Sequence, residues 1–325
     1  MKAVICHEFG PIETLSVEDC PDPAAGRGEI VVDVHAAGVN FPDGLMVRGE
    51  YQVKPPRPFT PGSEVAGIVR ALGEGMSEFS VGDRVVALCG IGGFAEQVSV
   101  QAERALKLPD SMDFETASGF MLVYGTSLHA LQECGRLRAG ETLLVLGAAG
   151  GVGLAAVEIG HAMGARVIAA ASTEAKLTLA RAHGADLTIN YATADLKTEL
   201  KRLAPAGVDV AYDPVGGALT EAAVRGLAWG GRLLVVGFAA GDIPKLPLNL
   251  LLLREGEAKG VFWGTWTARE PAAHARNVAK LFAWVADGTL KPHVSGIYSL
   301  AQTSEALGEV MQRRALGKIV LVPQR

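Results

Sequence analysis

The chain has 325 residues, 49% apolar and 20% charged, with a formal net charge of −5, a length that predicts two globular domains and an acidity that gives no general attraction for nucleic acid or anionic lipid. Its longest apolar run, LPLNLLLL at 246–253, is too short to span a bilayer, and MKAVICHEFG carries no apolar signal core. The reading is therefore a cytoplasmic protein without a membrane or nucleic-acid partner, and Cys6, Cys20, Cys89 and Cys134, spaced unlike metal ligands, are read as reduced thiols.

The first third reads as β-rich. KAVIC (2–6), EIVVDVHA (29–36), EVAGIVRAL (64–72), DRVVALC (83–89) and GFAEQVSV (93–100) have strand composition and are punctuated by Gly- and Pro-rich turns, as in a barrel-like domain. From about residue 113 the pattern changes. Helical spacing over 113–135, with Asp113 as its cap, leads into an alternation of apolar strands and helices. The strands are ETLLVLG (141–147), RVIAAA (166–171), DLTINY (186–191), VDVAYDPVGG (208–217), GRLLVVGF (231–238) and AKGVFWG (258–264), followed by a helix over 272–288. Such alternation predicts a parallel sheet covered on both faces. The tail, with VSGIYSL (294–300) and KIVLV (318–322), is expected to return to the first domain. The predicted organisation is α/β, with one discontinuous β-rich domain over 1–121 and 287–325 and one doubly wound parallel-sheet domain over 122–286.

The sharpest chemical signal is LLVLGAAGGVGLAAVEIG at 143–160. A buried strand ends in a glycine-rich turn that opens a helix, which is the arrangement that lets backbone N–H groups reach a dinucleotide pyrophosphate. The turn backbone of Ala149, Gly150, Gly151 and Val152 is the candidate contact, although Ala148 replaces the usual first glycine. The next strand ends in Ala170-Ala171-Ser172-Thr173, where an NAD site usually has a carboxylate for the ribose 2′-hydroxyl. Ser172 and Lys176 suit a 2′-phosphate instead, so the expected cofactor is NADPH.

AAGVNFPDGLMVRGEY (36–51), PFTPGSEVAGIV (58–69), VGDRVVAL (81–88), VYGTSLHAL (123–131), the glycine turn, DPVGG (213–217) and GRLLVVGF (231–238) together resemble the medium-chain dehydrogenase/reductase superfamily. Within it they are similar to the zinc-independent quinone oxidoreductase (zeta-crystallin-like) group, over essentially the whole chain. The resemblance implies a GroES-like β domain joined to a Rossmann domain, a site in the cleft between them, and a homodimer, for which the strand around 259–264 is the candidate edge.

Zinc-dependent relatives carry Cys-His where this chain has Asn40-Phe41, and Gly-His-Glu where it has Gly62-Ser63-Glu64. Catalytic zinc needs about three N, S or O ligands, and no such cluster is visible, so the expectation is no metal. Without a Lewis acid the acceptor must already be electrophilic by conjugation. The leading expectation is an NADPH:quinone reductase. The runner-up is an enone or enoyl-CoA (acrylyl-CoA-like) reductase, and a different class is a low-turnover, crystallin-type NADPH-binding protein.

The resemblance also assigns residues. Asn40 falls near the nicotinamide and the acceptor, with an Asx-turn as the structural alternative. Tyr51 is a candidate hydrogen-bond or proton donor. Asp43 is a candidate at the site whose structural alternative is to bond backbone N–H groups at a helix start. Glu64 braces the cleft. Thr126, Gly237 and Phe238 correspond to positions beside the nicotinamide. Tyr191 and Arg313 correspond to positions near the adenosine phosphate, with Arg314 left open as the alternative to Arg313. His7, His35, His129 and His161 show no partner pattern and are expected at the surface.

Overall fold

The computed structural model describes residues 1–324 and divides into two compact units, Met1–Leu122 with His293–Arg325, and Val123–Pro292. In the β-rich unit, β1 (Lys2–Ile5) and β2 (Ser16–Asp19) form an antiparallel ribbon. β3 (Glu29–Val39), α1 (Phe41–Val47), β4 (Glu64–Leu72), β5 (Arg84–Ala87), β6 (Gln97–Gln101), β7 (Ala105–Lys107) and the short helix α2 (Phe114–Ser118) follow, and the chain passes into the second unit within α3 (Met121–Leu128).

The parallel-sheet unit continues with β8 (Thr142–Leu146), α4 (Gly151–Ala162), β9 (Arg166–Ala171), α5 (Glu174–Ala182), β10 (Leu187–Asn190), α6 (Leu196–Leu203) and β11 (Val208–Asp213). After these come α7 (Ala218–Arg225), β12 (Leu227–Val235), α8 (Asn249–Leu252), β13 (Glu257–Gly260), α9 (Trp263–Arg269) and α10 (Pro271–Ala286). The tail adds β14 (Val294–Tyr298), α11 (Thr303–Met311) and β15 (Lys318–Leu321) to the β-rich unit.

β3 organises the β-rich unit. It pairs with β4 along most of its length, with β6 over its first half and with the tail strand β15 over Ala37–Val39. With partners on both edges it is buried at most positions, which is why EIVVDVHAAGV is apolar with little alternation. The core around it collects Ile30, Val32, Val65, Val85, Phe94 and Ile319.

The second sheet runs β10-β9-β8-β11-β12-β13, and every neighbouring pair is parallel. This is the Rossmann order, and the direction of winding reverses between β8 and β11. The carboxyl ends of strands at such a reversal are where ligands bind in open α/β sheets. The glycine turn leaves β8 at that point. No described helix is long and apolar enough to cross a membrane.

Three stretches differ from the periodicity reading. The helix expected over 113–135 is capped by Asp113, whose Oδ1 accepts from the Thr116 N–H at 2.7 Å. It is interrupted after Ser118, resumes as α3, and widens into a π-turn over His129–Cys134. β12 ends at Val235, so Gly237 and Phe238 follow the strand rather than close it. β13 stops at Gly260, and the aromatic residues after it turn into α9. Packing decides that turn: the Trp263 ring lies where a Cβ on Gly125 would come within 2.5 Å of it.

Gly67 makes the β3–β4 contact possible, because a Cβ there would sit 1.9 Å from the Asp33 carbonyl oxygen. Gly67→Ala is therefore expected to lower stability by about 2–3 kcal/mol, seen as a lower urea midpoint. An unchanged midpoint would show that the sheet yields at this position.

Candidate functional site

In the β-rich unit, Asn40 ends β3 and opens α1. Its N–H donates to Asp43 Oδ2 at 2.8 Å, and the Asp43 N–H donates back to the Asn40 carbonyl at 3.0 Å. Both side chains are buried, Asp43 completely. The Asn40 amide points at two further buried groups. Its Nδ2 donates to Glu64 Oε1 at 3.0 Å and to the Gly38 carbonyl at 3.3 Å, while its Oδ1 accepts from Lys318 Nζ at 2.6 Å.

Lys318, the first residue of β15, places three acceptors around its ammonium: Val39 O at 3.0 Å, Asn40 Oδ1 at 2.6 Å and Glu64 Oε1 at 3.1 Å. An ammonium has three donors, so this one is satisfied. Glu64 completes its shell with the Leu122 N–H at 3.0 Å on Oε2. Two glycines make room for the cluster. A Cβ on Gly38 would lie 2.5 Å from Glu64 Oε1, and one on Gly119 would press at 3.1 Å on the Lys318 stem.

Asp43 is less well served. Its Oδ1 is buried without a hydrogen bond, and so is the hydroxyl of Ser63, which is nevertheless near enough to act on the carboxyl. Burial pushes Asp43 up to about 7, against the opposing pull of the Asn40 N–H, Ser63 and Lys318. Burial also raises the half-buried Tyr51 phenol, with the charge of Asp43 adding to it, and raises the Cys89 thiol, which therefore stays neutral.

In the parallel-sheet unit, Gly147 leaves β8 with φ 58°. The turn closes through Gly150 N–H to Gly147 O at 3.0 Å. Gly150 is the N-cap of α4 and supplies no side-chain cap, so the first-turn N–H groups remain for an anion. Gly153 is obligatory there, since a Cβ would stand 2.2 Å from Gly147 O. Ala149 is buried, and Gly151 and Val152 begin the helix.

Beyond β9, Lys176 Nζ donates to Ser172 Oγ at 3.4 Å, and Thr173 caps α5. Glu174, the nearby carboxylate, is bonded to Arg181 at 2.6 Å. Tyr191 follows β10, with its N–H on Ala171 O at 3.1 Å. Thr126, Gly237 and Phe238 are half-buried in this unit. The neighbouring Ser127 donates to Val152 O at 2.9 Å and meets the Tyr212 hydroxyl at 2.9 Å, which ties α3 to the first turn of α4.

Arg313 is exposed at the end of α11 with φ 59°, while the guanidinium of Arg314 is bonded to Glu309 at 2.7 Å. His129 is a correction. It is buried, stacked on Trp266 with ring centroids 4.2 Å apart, because the indole covers the π-turn that carries it.

The structure thus gathers Asn40, Asp43 and Glu64 into one buried cluster, and groups the glycine turn with Ser172 and Lys176 along the β8–β9 edge. Lys318 and Ser127 went unnoticed in the sequence. The signal available for Lys318 was a lysine heading an otherwise apolar strand, KIVLV.

Residues 26–110 match the alcohol dehydrogenase GroES-like domain family and residues 151–280 the zinc-binding dehydrogenase family. Quinone oxidoreductase-like protein 2 of Rattus norvegicus is 36% identical over 98% of this chain and 91% of its own length. The structure of Escherichia coli quinone oxidoreductase in complex with NADPH aligns with a TM-score of 0.93 at 29% identity, over 99% of this chain and 100% of that one. A mycobacterial protein, also in complex with NADPH, aligns with a TM-score of 0.93 at 32% identity, over 99% of this chain and 100% of that one.

Zinc, which the second family description implies, does not fit the residues present. Asn40 Oδ1 and Glu64 Oε1 already bind an ammonium, and Phe41 and Ser63 offer no soft ligand. Among the described residues, no group of three or more His, Cys, Asp and Glu side chains is assembled to hold a metal.

Burial raises the folded Asp43 carboxyl from its ordinary value of 3.8 to about 7. The native state therefore holds a proton that the unfolded chain has lost across that interval, so stability falls as pH rises through it. At about 1.4 kcal/mol per unit the loss reaches at most about 4 kcal/mol. Denaturant titrations at a series of pH values are expected to show this slope in the unsubstituted protein and to lose it in Asp43→Asn. An equal slope in both would place the titrating group elsewhere.

Proposed function

The chain belongs to the zinc-independent quinone oxidoreductase group of the medium-chain dehydrogenase/reductase superfamily, and from that membership we propose that it is a metal-free reductase that moves hydride from NADPH to quinones or closely related conjugated carbonyl acceptors. The observation that carries this reading is the Lys318–Glu64–Asn40 cluster. Acceptor atoms already bonded to an ammonium offer a substrate carbonyl no Lewis acid. Hydride must then go to a carbon made electrophilic by conjugation, as in a quinone.

NADPH supplies the hydride, and this chain's residues bind and orient it. The N–H groups of Ala149, Gly150, Gly151 and Val152 receive the pyrophosphate at the helix end. Ser172 and Lys176, already paired across 3.4 Å, take the 2′-phosphate, with Tyr191 and Arg313 at the adenosine end. Thr126, Gly237 and Phe238 serve the nicotinamide end. Asn40 has both amide hydrogens engaged, so toward cofactor or acceptor it contributes the remaining lone pair of Oδ1 and the placement of its loop. Tyr51, kept protonated by burial, donates to the acceptor oxygen. The Asp43 carboxyl, within α1's first turn, accepts from the Asn40 N–H and so sets the loop that carries Asn40.

A homodimer formed along β13 completes the proposal. That strand is the sheet edge, three of its four residues are exposed, and the same unit exposes Leu248, Leu252 and Phe262. An unpaired edge of this kind is a template for pairing across a two-fold axis.

Steady-state NADPH oxidation against a panel of quinones, with crotonyl-type thioesters in parallel, tests the acceptor. Quinones are expected to be turned over repeatedly and faster, and a preference for the thioesters would move the assignment to enoyl reduction. Lys176→Ala is expected to raise KM for NADPH by about tenfold or more while leaving KM for NADH nearly unchanged, as loss of one charge-assisted phosphate contact requires. Equal losses for the two cofactors would refute the phosphate role.

A further inference from the structure

α5 opens just after β9, where a Rossmann sheet meets the adenosine ribose, and its start carries two opposite signals. Ser172 and Lys176, bonded across 3.4 Å, suit a 2′-phosphate. Glu174, the first residue of the helix, is a carboxylate, which would repel that phosphate and would suit the 2′-hydroxyl of NADH instead. In a helix a long side chain leans back toward the N-terminus and lies over the turn before it. A glutamate at the first position, left to that tendency, aims its charge at the place the phosphate would take.

The structure turns Glu174 the other way. Its Oε1 accepts from Arg181 Nη2 at 2.6 Å, and Arg181 stands seven residues further on, in the last turn of α5. That separation is about two helical turns, which puts both residues on one face. The bond therefore draws the carboxylate along the helix, away from Ser172. The guanidinium is itself held in place: Nη2 also donates to Thr188 Oγ1 at 3.2 Å, from β10, and Nη1 donates to Thr178 Oγ1 at 3.3 Å. A planar fork bonded to oxygens of two elements has a fixed direction. Glu174 and Arg181 are exposed, and an exposed ion pair contributes little to stability. What this one decides is where a negative charge sits.

We propose that Arg181 is a specificity-determining residue for the cofactor: by holding Glu174 along α5 it keeps a carboxylate away from the 2′-phosphate and so favours NADPH over NADH. This rests on the reading above that Ser172 and Lys176 receive that phosphate. Selectivity is a difference of two affinities, and it is gained both by attraction of one ligand and by removal of what repels it. Lys176 supplies the attraction, and Arg181 removes the repulsion. Arg181 touches neither the cofactor nor the reacting atoms in this scheme. It acts through Glu174.

Binding titrations of the full chain with NADPH and with NADH test this without any acceptor present, read by the fluorescence of the bound reduced nicotinamide. Arg181→Met removes the fork and keeps the helix propensity. It is expected to raise Kd for NADPH about fivefold at low ionic strength, and to leave Kd for NADH unchanged or lower, because only the phosphate feels the released carboxylate. The effect should shrink as salt is raised to about 0.5 M, where exposed charges are screened within a few ångströms. Adding Glu174→Gln to Arg181→Met should bring Kd for NADPH back to within about twofold of the unsubstituted protein, as coupling between the two residues requires. An unaltered Kd for NADPH in Arg181→Met, or equal losses for both cofactors, overturns the proposal. So does a loss that persists in the double variant, which would mean that the guanidinium meets the phosphate itself. Lys176→Ala, titrated alongside, separates the premise from the inference. Equal losses for the two cofactors there remove the phosphate reading and this role with it, whereas a loss confined to NADPH there, with none in Arg181→Met, refutes Arg181 alone.

Discussion

The ammonium of Lys318 is the point on which the β-rich unit closes. It reaches from the tail strand to the end of β3 and the start of β4, and each of its three donors finds an oxygen. Breaking a buried ion pair by removing one partner costs about 3–5 kcal/mol, because the other charge is left without compensation. Gly38, Gly119, Asn40 and the Leu122 N–H are all arranged around this charge. The cluster also fixes the direction of the Asn40 amide. Its oxygen faces a group that can only donate, and its nitrogen faces groups that can only accept.

The cluster explains how an alcohol dehydrogenase-like scaffold holds its shape with Asn40 and Ser63 where zinc relatives carry Cys and His. An internal cation supplies the positive charge that organises Glu64. Asp43 remains the less-bonded carboxyl. Its environment differs sharply from that of Glu64 although both are buried. One has a cation and a backbone N–H, the other a single N–H and an unbonded hydroxyl nearby.

The parallel-sheet unit depends on steric constraints rather than charge. At Gly153 no side chain can be accommodated against the Gly147 carbonyl, and the absence of a capping side chain at Gly150 leaves donors for a ligand anion. Asp213 shapes the neighbouring strand end, accepting from the Val215 and Gly216 N–H groups at 2.8 and 2.9 Å and from the Thr220 hydroxyl at 2.6 Å. DPVGG is therefore a turn locked by its own carboxylate, and the loop carrying Gly237 and Phe238 packs over it: the Ala239 N–H donates to Pro214 O at 3.1 Å.

The alternation of apolar strands and helices, the glycine turn and the hydroxyl–lysine pair after β9 were legible in the sequence. Each depends on residues within one or two turns of chain, where periodicity and backbone sterics act. The break after Ser118, the stop of β13 at Gly260 and the burial of His129 were not, because side chains from distant segments decide them: Lys318 over Gly119, Trp263 on Gly125 and Trp266 over His129. The motif AAGVNFPDG at 36–44 shows the division most clearly. Its sequence determined a strand end, a helix start and the loss of metal ligands at Asn40-Phe41. Only the tertiary structure decided what replaced them, since Asn40 and Lys318 stand 278 residues apart. No local pattern can record a charge that arrives from the far end of the chain.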